Sequence, residues 1–199
     1  MSSKALTEVK TRSVSAVARG GIIAAAYAAL TLAMAQIPFL SWNLVQFRIS
    51  EALVILPLFF AEAVPGLAVG CLVANLVNIA LTGSGVWGLL DVVFGTIATL
   101  VGGLWTRKFR HRPLLALAGP VVANALIVAA YMPAILKGLG LYTVPFTNIS
   151  LETSWIWMYL FGAVSVGLGE ALVVYVIGYP LYRFLRRYLS DQPVTPAQQ

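Results

Sequence analysis

Charge is scarce in this chain: only 10% of its 199 residues are Asp, Glu, Lys or Arg, against roughly 25% in an ordinary soluble domain. With 60% of residues hydrophobic and a mean hydropathy of +0.88, that scarcity excludes a soluble globular protein. There is one histidine, His111, and one cysteine, Cys71. They supply neither a Cys and His metal cluster, nor an internal disulfide, nor a nucleophile with its base. Also missing is a Gly-rich loop ending in Gly-Lys followed by Ser or Thr, so no P-loop nucleotide site is present. The sequence therefore does not read as an enzyme, and no metal or cofactor is expected. ATP-driven work would need another subunit to hydrolyse the nucleotide.

What is present is a series of apolar runs: residues 20–40, 52–61, 64–81, 88–105, 114–136 and about 155–181. A bilayer crossing takes about 20 mostly apolar residues, so the runs read as six crossings. The second is short, because residues 52–61 are few and include Pro57. The charges decide whether it crosses. With both termini cytoplasmic and six crossings, the inner side collects Lys4, Lys10, Arg12, Arg19, Arg107, Lys108, Arg110, Arg112, Arg183, Arg186 and Arg187, and only Arg48 and Lys137 stay outside. That is a strong positive-inside asymmetry. Without the second crossing, the basic clusters at 107–112 and 183–187 would move outside. The net charge of +6 thus reflects membrane orientation, and no nucleic-acid partner is expected. The fold class is an all-α integral membrane protein of six transmembrane helices with a short second helix. Its parts are a cytoplasmic N-terminal segment (1–18), a membrane domain (19–189) and a polar, proline-containing tail (190–199) that reads as disordered.

Ala33-Met34-Ala35 has the form of a signal-peptidase site, but the apolar run continues past it to residue 40. The Asn148-Ile149-Ser150 sequon reads as loop polarity. No internal repeat is visible, which argues against an inverted-repeat carrier.

Polar groups inside hydrocarbon cost several kcal/mol unless they face a cavity or a partner, so the few present are candidate ligand contacts. The segment 41–51 holds Trp42, Asn43, Gln46, Arg48 and Glu51, the make-up of a lid over a small molecule. An Arg48 to Glu51 ion pair capping the short helix accounts for part of it equally well. Asn75 and Asn78 share one helix face, and Trp87 and Asp91 share another. Asn124 and Tyr131 lie on one stripe, where helix-to-helix hydrogen bonding is an equal explanation. In the last helix a stripe runs from Trp155 through Tyr159 to Glu170, about 22 Å deeper, with a membrane-interface role an alternative for Trp155. The first helix is lined by alanines four apart, among them Ala24, Ala25, Ala28 and Ala29, which permit close helix packing within this chain or with another.

These residues resemble the QueT-type substrate-binding subunits (S components) of energy-coupling factor (ECF) transporters. The matching pieces are Phe47-Arg48-Ile49-Ser50-Glu51-Ala52-Leu53, Glu62-Ala63-Val64-Pro65-Gly66-Leu67, Asn75, Asp91-Val92-Val93-Phe94-Gly95, Asn124, Gly169-Glu170 and Gly178-Tyr179-Pro180-Leu181. They span about residues 20–187. Ala61 stands where the family carries proline, a departure at the inner turn.

The resemblance implies a membrane subunit that binds a micronutrient and associates with a transmembrane coupling subunit and two cytoplasmic ATPases, with Ala24, Ala25, Ala28 and Ala29 as the docking surface. It implies a queuosine precursor, a deazaguanine base, as the small-molecule substrate. Carboxylates and amides suit the guanine-like edge, and aromatics suit its ring. Another vitamin such as cobalamin, or an autonomous carrier or channel, stays open at this point.

Overall fold

The computed structural model describes residues 3–36, 48–138 and 155–191. Its helices are α1 (Ser3–Ala35), α2 (Ile49–Leu58), α3 (Ala63–Thr82), α4 (Gly85–Lys108), α5 (Pro113–Gly138) and α6 (Trp155–Ser190). There is no strand among the described residues. All but α2 are long and apolar enough to cross a membrane. Trp42, Asn43, Gln46 and most of the expected lid, the sequon and the tail beyond Asp191 lie outside the described residues.

The path follows from which residues touch. A Cβ built on Gly66 would lie 2.7 Å from the Gly20 carbonyl oxygen, and one on Gly70 would lie 2.6 Å from that of Ala24 and 2.9 Å from Tyr27 Cβ. Equal steps of four along both helices mean that α1 and α3 run parallel, backbone against backbone. The chain must therefore return across the bundle between them, and α2 is the return. Its start meets the far part of α1, where Thr31 Oγ1 donates to Ser50 Oγ at 2.8 Å. Just past its end, Glu62 pairs with Arg19 at 2.7 Å.

The remaining helices alternate. Asn75 of α3 meets Asp91 of α4, while Val64 meets Gly103. Along α4 and α5, Tyr131 meets Asp91 and Pro120 meets Gly102. Along α5 and α6, Ala129 meets Gly162 and Ala125 meets Gly167, and the Tyr175 hydroxyl donates to the Leu114 carbonyl at 3.0 Å. Six passes of alternating direction leave Arg19, the 107–112 cluster and the 183–187 cluster at one end, the basic end.

The second helix differs from expectation in start and geometry. It begins at Ile49 and is a 3-10 helix throughout, where hydropathy alone starts it at residue 52. Ser50 and Glu51 enter it because Thr31 bonds the Ser50 hydroxyl and Tyr27 bonds one oxygen of the Glu51 carboxyl. At about 2.0 Å per residue it reaches about 20 Å, instead of about 15 Å as an α-helix. That reach matches the rise of about 18 Å along α1 from Arg19 to Thr31. All five other helices touch α2, so it is the central post of the bundle. Arg107 Nη1 donates to the Pro57 carbonyl at 3.1 Å, placing a cation on the carbonyl end of the helix dipole.

Around this post pack Ile23, Tyr27, Leu67, Leu117, Val174 and Tyr182, and a second core of Ala98, Val128, Tyr131, Met132 and Val166 lies between α4, α5 and α6. The outer surface carries exposed Val, Leu and Ile from every long helix, as a lipid-facing wall requires. This is a multi-pass membrane protein.

The alanines of α1 divide. Ala28 is buried and Ala24 lies against Gly70, so this pair packs within the chain and does not form a free docking face. The physical reason is the missing side chain at Gly70, which draws α3 onto that face. Ala25 and Ala29, with Gly21 and Ala33, point outward.

Gly70→Ala should lower the midpoint of thermal unfolding in detergent by an amount equivalent to about 1–3 kcal/mol, because only backbone and Tyr27 stand where the new methyl must go. Gly21→Ala, with nothing within 4 Å of its built Cβ, should leave that midpoint unchanged.

Candidate functional site

Four polar residues from different helices are buried in the half of the bundle away from the basic end: Glu51, Asn75, Asn124 and Glu170 are 1%, 4%, 6% and 6% exposed. The helices carry them there for local reasons. Asp91 opens a π-helical segment, Asp91–Gly95, within α4. Asn75 Nδ2 donates to the Asp91 carbonyl at 2.8 Å, adding a partner where the backbone register changes. Gly95 leaves room for that amide, since a Cβ there would lie 3.1 Å from Asn75 Nδ2. Glu170 stands one turn before the second π segment, Val173–Gly178.

Two bonded groups result. In the first, the Tyr131 hydroxyl donates to Asp91 Oδ1 at 2.6 Å, and Arg48 Nη2 stands 4.0 Å from the same oxygen. The Phe94 ring stacks on Tyr131 at 5.6 Å. In the second, the Tyr27 hydroxyl donates to Glu51 Oε1. The Glu170 carboxyl lies beside Glu51 and the Asn124 amide. Arg48 is within electrostatic reach of both groups, so three carboxyl groups face one guanidinium. Glu51 Oε2, Glu170 Oε1 and Asn124 Nδ2 are buried and have no hydrogen-bond partner among the described residues. A charged or amide group without a partner in a low-dielectric interior is costly.

The structure thus brings together Arg48, Glu51, Asn75, Asp91, Asn124 and Glu170. Asn78, one turn beyond Asn75, is half-buried and outside the bonded groups, and Tyr159 is likewise half-buried. Trp87 and Trp155 are 40% and 53% exposed. Both lie outside the bonded groups, and an aromatic ring with an N–H also suits the membrane interface.

Tyr27 is the contact that sequence reasoning missed. It is fully buried and bonds Glu51. It is the one aromatic in the alanine-rich stretch 20–35, a large polar-tipped residue among small ones, and that was the available signal. Among the described residues no group of three His, Cys, Asp or Glu is arranged to hold a metal ion.

A family profile described as QueT transporter matches residues 17–187. No curated protein and no solved structure matches the chain.

Tyr27→Phe removes the donor on Glu51 Oε1 and leaves a buried carboxyl oxygen unbonded. A bond to a charged group is worth about 1.5–3 kcal/mol, so the variant should unfold measurably earlier than wild type on a thermal ramp in detergent. An unchanged midpoint would show that Glu51 does not depend on Tyr27.

Proposed function

Because the chain belongs to the QueT transporter family, we propose that it is the substrate-binding subunit of an ATP-driven ECF importer and that its substrate is a queuosine precursor, a deazaguanine base. The observation that carries this reading is the buried polar cluster of Arg48, Glu51, Asp91, Asn124 and Glu170 in a bundle whose long helices turn apolar side chains outward. A structural role alone accounts poorly for buried carboxyl and amide atoms left unbonded. A ligand rich in N–H donors would complete them.

The basic end faces the cytoplasm under the positive-inside rule, which opens the cluster's half of the bundle to the outside, where a nutrient arrives. Arg48 leads into the cluster from the connection that precedes α2. Asp91 is held by Tyr131 and Asn75, and its part is to fix Arg48.

Energy comes from elsewhere in this reading, since the sequence has no nucleotide-binding loop. A coupling subunit with two ATPases needs a surface on this chain. The outward small-residue stripe of Gly21, Ala25, Ala29 and Ala33 supports close approach of a foreign helix, because small side chains allow backbones to near each other.

The test separates binding from coupling. Ala25→Leu with Ala29→Leu should retain wild-type affinity for a deazaguanine base in isothermal titration. The same variant should lose co-purification of ATPases and ATP-dependent uptake into vesicles. Uptake into liposomes by the purified chain alone would identify an autonomous carrier and reject the ECF assignment.

A further inference from the structure

The three unbonded atoms have a pattern. Glu51 Oε2 and Glu170 Oε1 are acceptors, and Asn124 Nδ2 is a donor. All three residues are more than nine-tenths buried. They come from α2, α6 and α5, and Glu170 lies beside both the Glu51 carboxyl and the Asn124 amide. Asp91 differs in kind: Oδ1 is bonded by Tyr131 and its carbonyl by Asn75.

Resting on the reading of the protein as a deazaguanine binder, we propose that Glu51, Glu170 and Asn124 select the base by its pairing edge. That edge carries a ring N–H and an exocyclic amine, which are donors, and a ring carbonyl, which is an acceptor. Two acceptors and one donor on the protein are its complement. The amine and the ring N–H bond the two carboxyl oxygens, and the carbonyl accepts from Asn124 Nδ2. The carboxyl surplus over Arg48 favours an edge rich in donors.

The complement discriminates. A hypoxanthine-type edge lacks the exocyclic amine and leaves one buried carboxyl oxygen unbonded. An adenine-type edge turns a ring lone pair toward a carboxyl and an amine toward the Asn124 donor. Sites built to bond an N–H reject analogues that lack it far more strongly than apolar pockets reject a missing methylene.

Isothermal titration of the full chain in detergent with 7-deazaguanine, 7-deazahypoxanthine and 7-deazaadenine tests this. The first should bind, and the second and third should bind at least about 100-fold more weakly. In Asn124→Asp, which replaces the donor by an acceptor, the preference for 7-deazaguanine over 2,6-diamino-7-deazapurine should narrow or reverse. This ratio reads the edge even where the variant lowers overall affinity. Equal binding of 7-deazaguanine and 7-deazahypoxanthine, or an unchanged ratio in Asn124→Asp, would overturn the edge assignment and leave the transporter reading standing. Binding of none of these bases would overturn the deazaguanine reading, and the edge assignment with it.

Discussion

Where α1 and α3 meet at Gly66 and Gly70, neither glycine puts a side chain between the two backbones, and the two helices run the same way. Parallel neighbours that close leave the chain one route from the end of the first to the start of the second, back through the bundle. Helices in lipid gain little from hydrophobic burial against one another, so close packing of this kind carries much of the association. The position of α2 at the centre, its stretch into a 3-10 helix and the depth of Glu51 all follow from that contact. Substituting a larger residue at either glycine moves the post as well as the pair.

The same arrangement explains how a bundle in hydrocarbon tolerates carboxyl groups. Glu51, Asp91 and Glu170 lie on three helices, and each has a polar neighbour on another: Tyr27 on α1, and Tyr131 and Asn124 on α5. The basic end is tied differently, by Arg19 to Glu62 and by Arg107 to the end of α2. One end is thereby tied by an ion pair and a guanidinium on a helix carbonyl, and the other half holds buried polar atoms without partners among the described residues.

Much of this was legible in the sequence, for reasons of unequal strength. Long apolar runs and the placement of arginines revealed the alternating path, because hydrocarbon thickness and charge asymmetry are coarse constraints that tolerate error. Glu51, Asn75, Asp91, Asn124 and Glu170 stood out because polar residues in such runs are rare. The start of α2 was misplaced because Ser50 and Glu51 look like loop residues until Thr31 and Tyr27 are known to receive them. The division of the alanines was illegible because spacing gives a stripe but not which side of it α3 covers. The tryptophans are ambiguous for a related reason: Trp87 shares a face with Asp91, yet a ring in lipid and a ring on a ligand have the same sequence signature.

The central post also constrains how the protein is made. A segment of about 20 Å that carries a glutamate is a poor independent guest of a bilayer whose apolar core is about 30 Å thick. Ser50 and one oxygen of Glu51 find partners on α1, which is synthesised before α2, and its sides are covered by α3 to α6, which are synthesised after. The hairpin of α1 and α2 is therefore the smallest unit in which those polar atoms are bonded, and the later helices supply the apolar cover.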